Sequence, residues 1–169
     1  MLRREGDGQP MSINDDQDKH WVAVKQNEQG AELIAMSLQG PNISQQVTLL
    51  LSCYKQTSDH GSGLPVVLGI KGTNYFVSCS GPSDSPVLKL ETVVNPEESL
   101  KTISTSSDMT RFLFYKREDQ IGTSAFESFR FPGWFISNDG TTTRVKVAMC
   151  NGRQAIGRVT DFHIHASTQ

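Results

Sequence analysis

Strict alternation of apolar and polar residues recurs along most of this 169-residue chain, and it restricts the fold more than any other feature. In Gln46-Val47-Thr48-Leu49-Leu50-Leu51-Ser52-Cys53-Tyr54, the residues Val47, Leu49, Leu51 and Cys53 share one face. Leu88 and Leu90 alternate with Lys89 and Glu91, Phe112 and Phe114 with Leu113 and Tyr115, and Val145, Val147 and Met149 with Lys146 and Ala148. Phe162 and Ile164 point opposite to His163 and His165. Period two is the signature of a strand, because successive side chains leave opposite faces. Between these runs come Gly61-Ser62-Gly63, Lys71-Gly72-Thr73-Asn74, Gly81-Pro82, Asn138-Asp139-Gly140 and Asn151-Gly152, residues that preset or tolerate the dihedrals of turns.

Turn signals spaced about 8–14 residues apart predict an all-β domain of about twelve strands between residues 12 and 167. Twelve strands make three units of about fifty residues, which suits a β-trefoil; the pattern alone leaves a β-sandwich equally open. The one helical signal is Asn95-Pro96-Glu97-Glu98-Ser99-Leu100, with Asn95 as the expected cap and Pro96 in the first turn. Residues 1–12 are polar and glycine-containing, and are expected to form a flexible N-terminal tail or a precursor remnant ahead of a domain over 13–169.

Composition removes several function classes. Hydrophobic residues are 36% and charged residues 20% of the chain, a globular balance. Sixteen basic against eighteen acidic residues give a net charge of −2, which argues against nucleic acid as a partner. No run approaches the ~20 apolar residues of a membrane span. Three cysteines, Cys53, Cys79 and Cys150, are too few for a disulfide framework. No apolar run of a secretory signal opens the chain, so the residues alone favour a cytosolic location.

Reactive constellations are missing as well. There is no Gly-x-Ser-x-Gly elbow, no phosphate loop and no Cys-x-x-Cys pair. His163-x-His165 supplies two imidazoles on one side of a strand, but a metal needs a third ligand from His20 or His60, so both are read as surface histidines. Asp15-Asp16-Asp18 is read as a solvated acidic face, and Cys79 and Cys150 as small core or near-core residues. The expectation is no enzyme, no cofactor and no metal: a β domain whose surface loops carry the function.

The segment Phe126-Glu127-Ser128-Phe129-Arg130-Phe131-Pro132-Gly133-Trp134-Phe135-Ile136-Ser137 closely resembles the signature of the interleukin-1 family. Ser37-Leu38-Gln39-Gly40, Leu64 to Lys71, Tyr75 to Cys79, Leu88 to Glu91, Arg111 to Lys116 and Val159 to Phe162 resemble strands of that family in the same order. The resemblance runs from about Glu32 to about Ser167. It implies a β-trefoil and a monomeric, secreted pro-inflammatory cytokine, exported without a signal peptide from a cytosolic precursor. It also implies binding to an interleukin-1-type receptor ectodomain, followed by recruitment of an accessory chain. By the same resemblance Gln39, Gly40, Gln45 and Gln46 match a polar receptor patch, Leu64 an apolar contact, and Lys116 and Glu118 a charged pair at a second patch. Asp161 matches an acidic position linked to the accessory chain, where the natural antagonist carries lysine.

The signature residues are assigned to the fold, with Phe126, Phe131 and Trp134 expected to supply apolar area around Pro132. Departures stand at Ser37, Cys53, Phe129, Asn138 and Thr105-Ser106-Ser107-Asp108, and are expected mostly on receptor-facing loops. The alternatives are a receptor antagonist on the same fold, a trefoil lectin or a protease inhibitor. Lectin trefoils repeat Gln-x-Trp, whereas Trp21 and Trp134 both lack that glutamine.

Overall fold

A computed structural model of the chain describes residues 1–27, 30–56, 63–153 and 156–167. The first third holds β1 (Leu2–Asn14), β2 (Lys19–Asn27), β3 (Gly30–Ser37), a 3-10 turn over Gly40–Gln45, and β4 (Leu49–Gln56). Next come β5 (Leu64–Ile70), β6 (Tyr75–Ser80), β7 (Val87–Thr92), a one-turn helix α1 (Pro96–Ser99), β8 (Thr102–Ile103), a 3-10 turn over Asp108–Phe112, and β9 (Phe114–Glu118). The last third is β10 (Ser124–Ser128), β11 (Trp134–Asp139), β12 (Arg144–Lys146), β13 (Ala148–Asn151), β14 (Arg158–Val159) and β15 (His163–Ala166).

Pairing turns these segments into a closed barrel. β1 pairs β4, β4 pairs β5, β5 pairs β9, and β9 pairs β10. A Ser124–Phe162 bridge joins β10 to the start of β15, and β15 pairs β1. Three further antiparallel pairs, β2–β3, β6–β7 and β11–β13, stand off this six-stranded barrel and meet one another, β12 on β3, β3 against β7, and β7 against β13. A six-stranded barrel capped by three hairpins is the β-trefoil, so the tertiary pairing decides against the sandwich that the strand pattern left open.

Two apolar clusters hold it together. The barrel interior collects Ile13, Trp21, Leu49, Leu51, Val66, Leu68, Phe114, Phe126 and Phe162. The Trp21 ring meets Phe162 edge-on at 5.2 Å between centroids and Phe126 at 6.3 Å. A smaller cluster of Leu2, Tyr54, Val67, Leu100, Ile103, Phe112 and Leu113 lies on the other face of the β4–β5 wall. That is why Val66 and Val67, or Leu113 and Phe114, are buried side by side: adjacent residues feed opposite clusters.

Four expectations are corrected. Residues 1–12 are not a flexible tail: β1 begins at Leu2, which is fully buried, and pairs with Gln56 and Ile103, so this segment is a barrel strand. Asn95 does not cap α1 through its side chain. It sits in the left-handed region at φ 51°, and its carbonyl accepts the Glu98 and Ser99 N–H groups. Among the signature aromatics, Phe126 is in the core but Phe131 and Trp134 are half-buried; the fully buried tryptophan is Trp21. Asn138 is fully buried rather than on a loop surface, and Phe129 stacks on Tyr115 at 5.1 Å.

The signature has a local physical reason. The Ser128 hydroxyl accepts the Phe131 N–H at 3.0 Å, and the Glu127 carboxylate accepts the Gly133 N–H at 2.7 Å. Gly133 has φ 89°, a conformation that L side chains rarely adopt. Glu127 is nearly buried and paired with Arg117 at 2.5 Å. These bonds close the turn between β10 and β11.

Candidate functional site

β4 separates two of the receptor-matched groups. Gln39, Gly40 and Gln45 are exposed on the 3-10 turn that precedes β4. Gln46 is half-buried, its Oε1 lying 3.0 Å from His20 Nδ1. Pro41 fixes the start of this turn, and the Gln46 N–H donates to the Ile43 carbonyl at its end. Ile43 is exposed in the same turn, an apolar side chain among the polar ones.

Leu64, Lys116 and Glu118 form the second group, beside the far end of β4. Leu64 stands opposite Lys116 in the β5–β9 register and is 43% exposed. Lys116 Nζ lies 3.9 Å from Glu118 Oε2. The register that pairs Leu49 with Ile70 and Cys53 with Val66 puts Leu64 beyond Cys53. Six residues of β4, about 20 Å of strand, thus run between the two ends beside which the groups lie. Sequence motifs cannot measure that separation; the pairing register does.

Asp161 belongs with the second group rather than alone. Glu118 pairs with Ser124, which bridges to Phe162, the neighbour of Asp161. Asp161 Oδ1 receives Arg153 Nε at 3.1 Å and Nη2 at 2.7 Å, while Asp119 Oδ2 lies 3.9 Å from the same guanidinium. The Thr123 hydroxyl, with the N–H groups of Thr123 and Ile121, holds the Asp119 carboxyl below the usual aspartate range. A cleft of about 390 Å³ lies beside these groups, lined in part by Asp16, Ile121, Arg158, Asp161 and His163. Ile121, on the turn next to this network, is 83% exposed, and Ile156, two residues before Arg158, is fully exposed. Neither isoleucine was singled out from sequence, because a lone Ile in a polar turn has no period; only full exposure beside charged groups marks it.

A buried network supports this surface. Asp15 and Lys19 are both almost completely buried, with Lys19 Nζ 3.5 Å from Asp15 Oδ2. Asp15 Oδ1 accepts the backbone N–H groups of Gln17 and Lys19, each at 2.9 Å, and Oδ2 accepts Asn138 Nδ2 at 3.1 Å. Lys19 donates to the carbonyls of Asp139 and Thr142. Asp139 pairs with Arg158 in the β11–β14 register, three residues before Asp161. The solvated face expected of the acidic run holds for Asp16 and Asp18, which are exposed, but Asp15 is the counter-ion of an internal lysine.

His163 and His165 stack at 6.4 Å between centroids, with His163 half-buried and His165 exposed. No group of three His, Cys, Asp or Glu side chains suited to a metal occurs among the described residues, and His60 lies outside them. Cys53, Cys79 and Cys150 are free thiols; burial pushes Cys79 up to about 11. Among the described residues no helix is long and apolar enough to cross a membrane.

Comparison with known proteins gives one answer. The family model described as Interleukin-1 / 18 matches residues 38–164. Interleukin-1 beta of Rattus norvegicus is 36% identical over 126 residues, covering 74% of this chain and 44% of the relative. Interleukin-1 beta of Equus caballus is 36% identical over 135 residues, covering 78% of this chain and 46% of the relative. The chain thus spans less than half the length of these relatives. The crystal structure of chicken interleukin 1 beta superposes with a TM-score of 0.80 at 32% identity, covering 98% of this chain and all of that one. With the trefoil pairing, the signature turn and the family model all falling on the same residues, the chain belongs to the interleukin-1 family.

Proposed function

We propose that this protein is a secreted pro-inflammatory cytokine that binds an interleukin-1-type receptor ectodomain and then recruits an accessory receptor chain. The observation that carries the reading is the arrangement of the matched residues on the trefoil. One exposed group, Gln39, Gly40 and Gln45, lies at one end of β4, Leu64, Lys116 and Glu118 lie beside the other, and the Asp161 network adjoins Glu118 through β10. A separation of about 20 Å suits a receptor chain that grips a broad surface, as standard interfaces bury ~800 Å² per partner. For the accessory chain, the exposed Ile121, which shares a cleft with Asp161, offers an apolar anchor within a charged rim. The acidic Asp161 favours an agonist over an antagonist. Export without a signal peptide from a cytosolic precursor belongs to the same proposal.

The test is a surface binding titration against an interleukin-1 receptor ectodomain, with and without the accessory ectodomain. Saturable binding that tightens with the accessory chain is the expected result. Binding without tightening identifies an antagonist. No binding at micromolar protein refutes the receptor assignment and returns the lectin and inhibitor readings.

A further inference from the structure

Where the three hairpins meet, the trefoil leaves a cavity of about 160 Å³ that no receptor-matched residue lines. Its wall comes from all three: Leu33 of β3, Val77 of β6, Leu88 and Leu90 of β7, and Val147 between β12 and β13. Each of these side chains is at least nine-tenths buried. Ala31 and three charged residues, Glu32, Lys89 and Lys146, complete the lining. Lys146 Nζ lies 3.1 Å from Glu32 Oε1, an ion pair whose side chains are 53% and 21% exposed. Lys89, between the buried Leu88 and Leu90, is exposed. The charged lining therefore carries one net positive charge beside an apolar pocket.

Size and charge together select a ligand class. An apolar cavity of about 150 Å³ accommodates one benzene ring. A ring of that size fills this pocket, and a carboxylate on it would be left beside Lys89 and Lys146, where the lysines favour an anion. A neutral ring would forgo that attraction, and a cation would meet a lining of net positive charge. We propose that this cavity is a binding site for small aromatic carboxylates. None of the receptor-matched residues lines it, so the site is distinct from those surfaces.

The experiment is an amide-resolved NMR titration with benzoate, compared with neutral benzamide. Saturable shifts confined to Ala31–Leu33, Leu88–Leu90 and Lys146–Val147 are expected, with benzamide binding about fivefold weaker. Lys89→Gln combined with Lys146→Gln is expected to reduce benzoate affinity about fivefold while leaving benzamide unchanged, since both lysines act through charge. Ala31→Phe, at a half-buried lining position, is expected to block both ligands; its amide spectrum reports whether the fold is kept, so loss of binding is separable from loss of structure. Shifts scattered over surface lysines without saturation overturn the site. Equal binding of benzoate and benzamide, or benzoate binding indifferent to the double lysine substitution, overturns the carboxylate specificity.

Discussion

Replacing Lys19 by methionine removes one ammonium while keeping most of the volume of its stem. In the native protein that ammonium sits among Asp15 Oδ2 and the carbonyls of Asp139 and Thr142, with the side chains of Lys19 and Asp15 only 2% and 0% exposed. The variant leaves a buried carboxylate without its counter-ion and two carbonyls without their donor. Breaking a buried pair by removing one partner costs about 3–5 kcal/mol. The three hydrogen bonds that Asp15 retains, from Gln17, the Lys19 backbone and Asn138, favour the lower half of that range. For a chain of this size each kcal/mol lowers Tm by about 2–4 °C, so a fall of about 6–16 °C is expected. Urea titration followed by tryptophan fluorescence measures the free-energy loss, since Trp21 is fully buried, and a thermal melt measures the fall in Tm. The midpoint moves while the slope stays the same.

A second arm isolates the cause. Adding Asp15→Leu to Lys19→Met removes the stranded charge, so the double variant is expected to be more stable than the two single losses summed. Hydrogen exchange at residues 139–143 rises in Lys19→Met, because the turn between β11 and β12 loses its anchor. A loss under about 1 kcal/mol, or strict additivity in the cycle, refutes the view that this buried pair holds the turn in place.

Other perturbations separate the remaining elements. Trp21→Ala should cost about 3–5 kcal/mol in denaturant melts, whereas Trp134→Ala, at a half-buried position, should cost about 1–2. Asp161→Lys puts an ammonium against Arg153; receptor-chain binding should persist and accessory recruitment should fail, with Asp161→Asn as the uncharged control and full signalling by the lysine variant the refuting result. Burial pushes Tyr54 up to about 12, and its hydroxyl donates to the Leu100 carbonyl. The unfolded phenol ionises near 10, so this contribution is complete below pH 10 and is lost between about pH 10 and 12; Tyr54→Phe should flatten that stretch of the stability–pH curve. Gly69→Ala brings a Cβ to 2.6 Å from Phe76 Cε2, so the ring must shift, and a net loss of about 1–2 kcal/mol in thermal melts is expected.

Strands were legible in the sequence because alternation records which face is buried, and burial is the largest favourable term in folding. Leu88 and Leu90 are inside and Lys89 outside, as period two requires. The signature turn was legible because Ser128, Glu127 and Gly133 make its bonds within a few residues of one another. What was misread depends on distant partners. Leu2 follows no local pattern, yet it is buried because β4 and β8 flank it. Asp15 reads as a surface acid until Lys19 and Asn138, the latter 123 residues away, enclose it.

The same division holds for the candidate site. Residue types and their order determined by themselves that this is an all-β chain with an interleukin-1 signature, because those signals are local and survive in one dimension. Tertiary structure alone decided that the strands close into a barrel, that Glu118 and Asp161 share one surface while Gln39 and Gln45 lie at the opposite end of β4 from Leu64, and that three hairpins enclose a cavity. Each of these depends on pairing between residues far apart in the chain, where register and packing set the distance and sequence spacing does not.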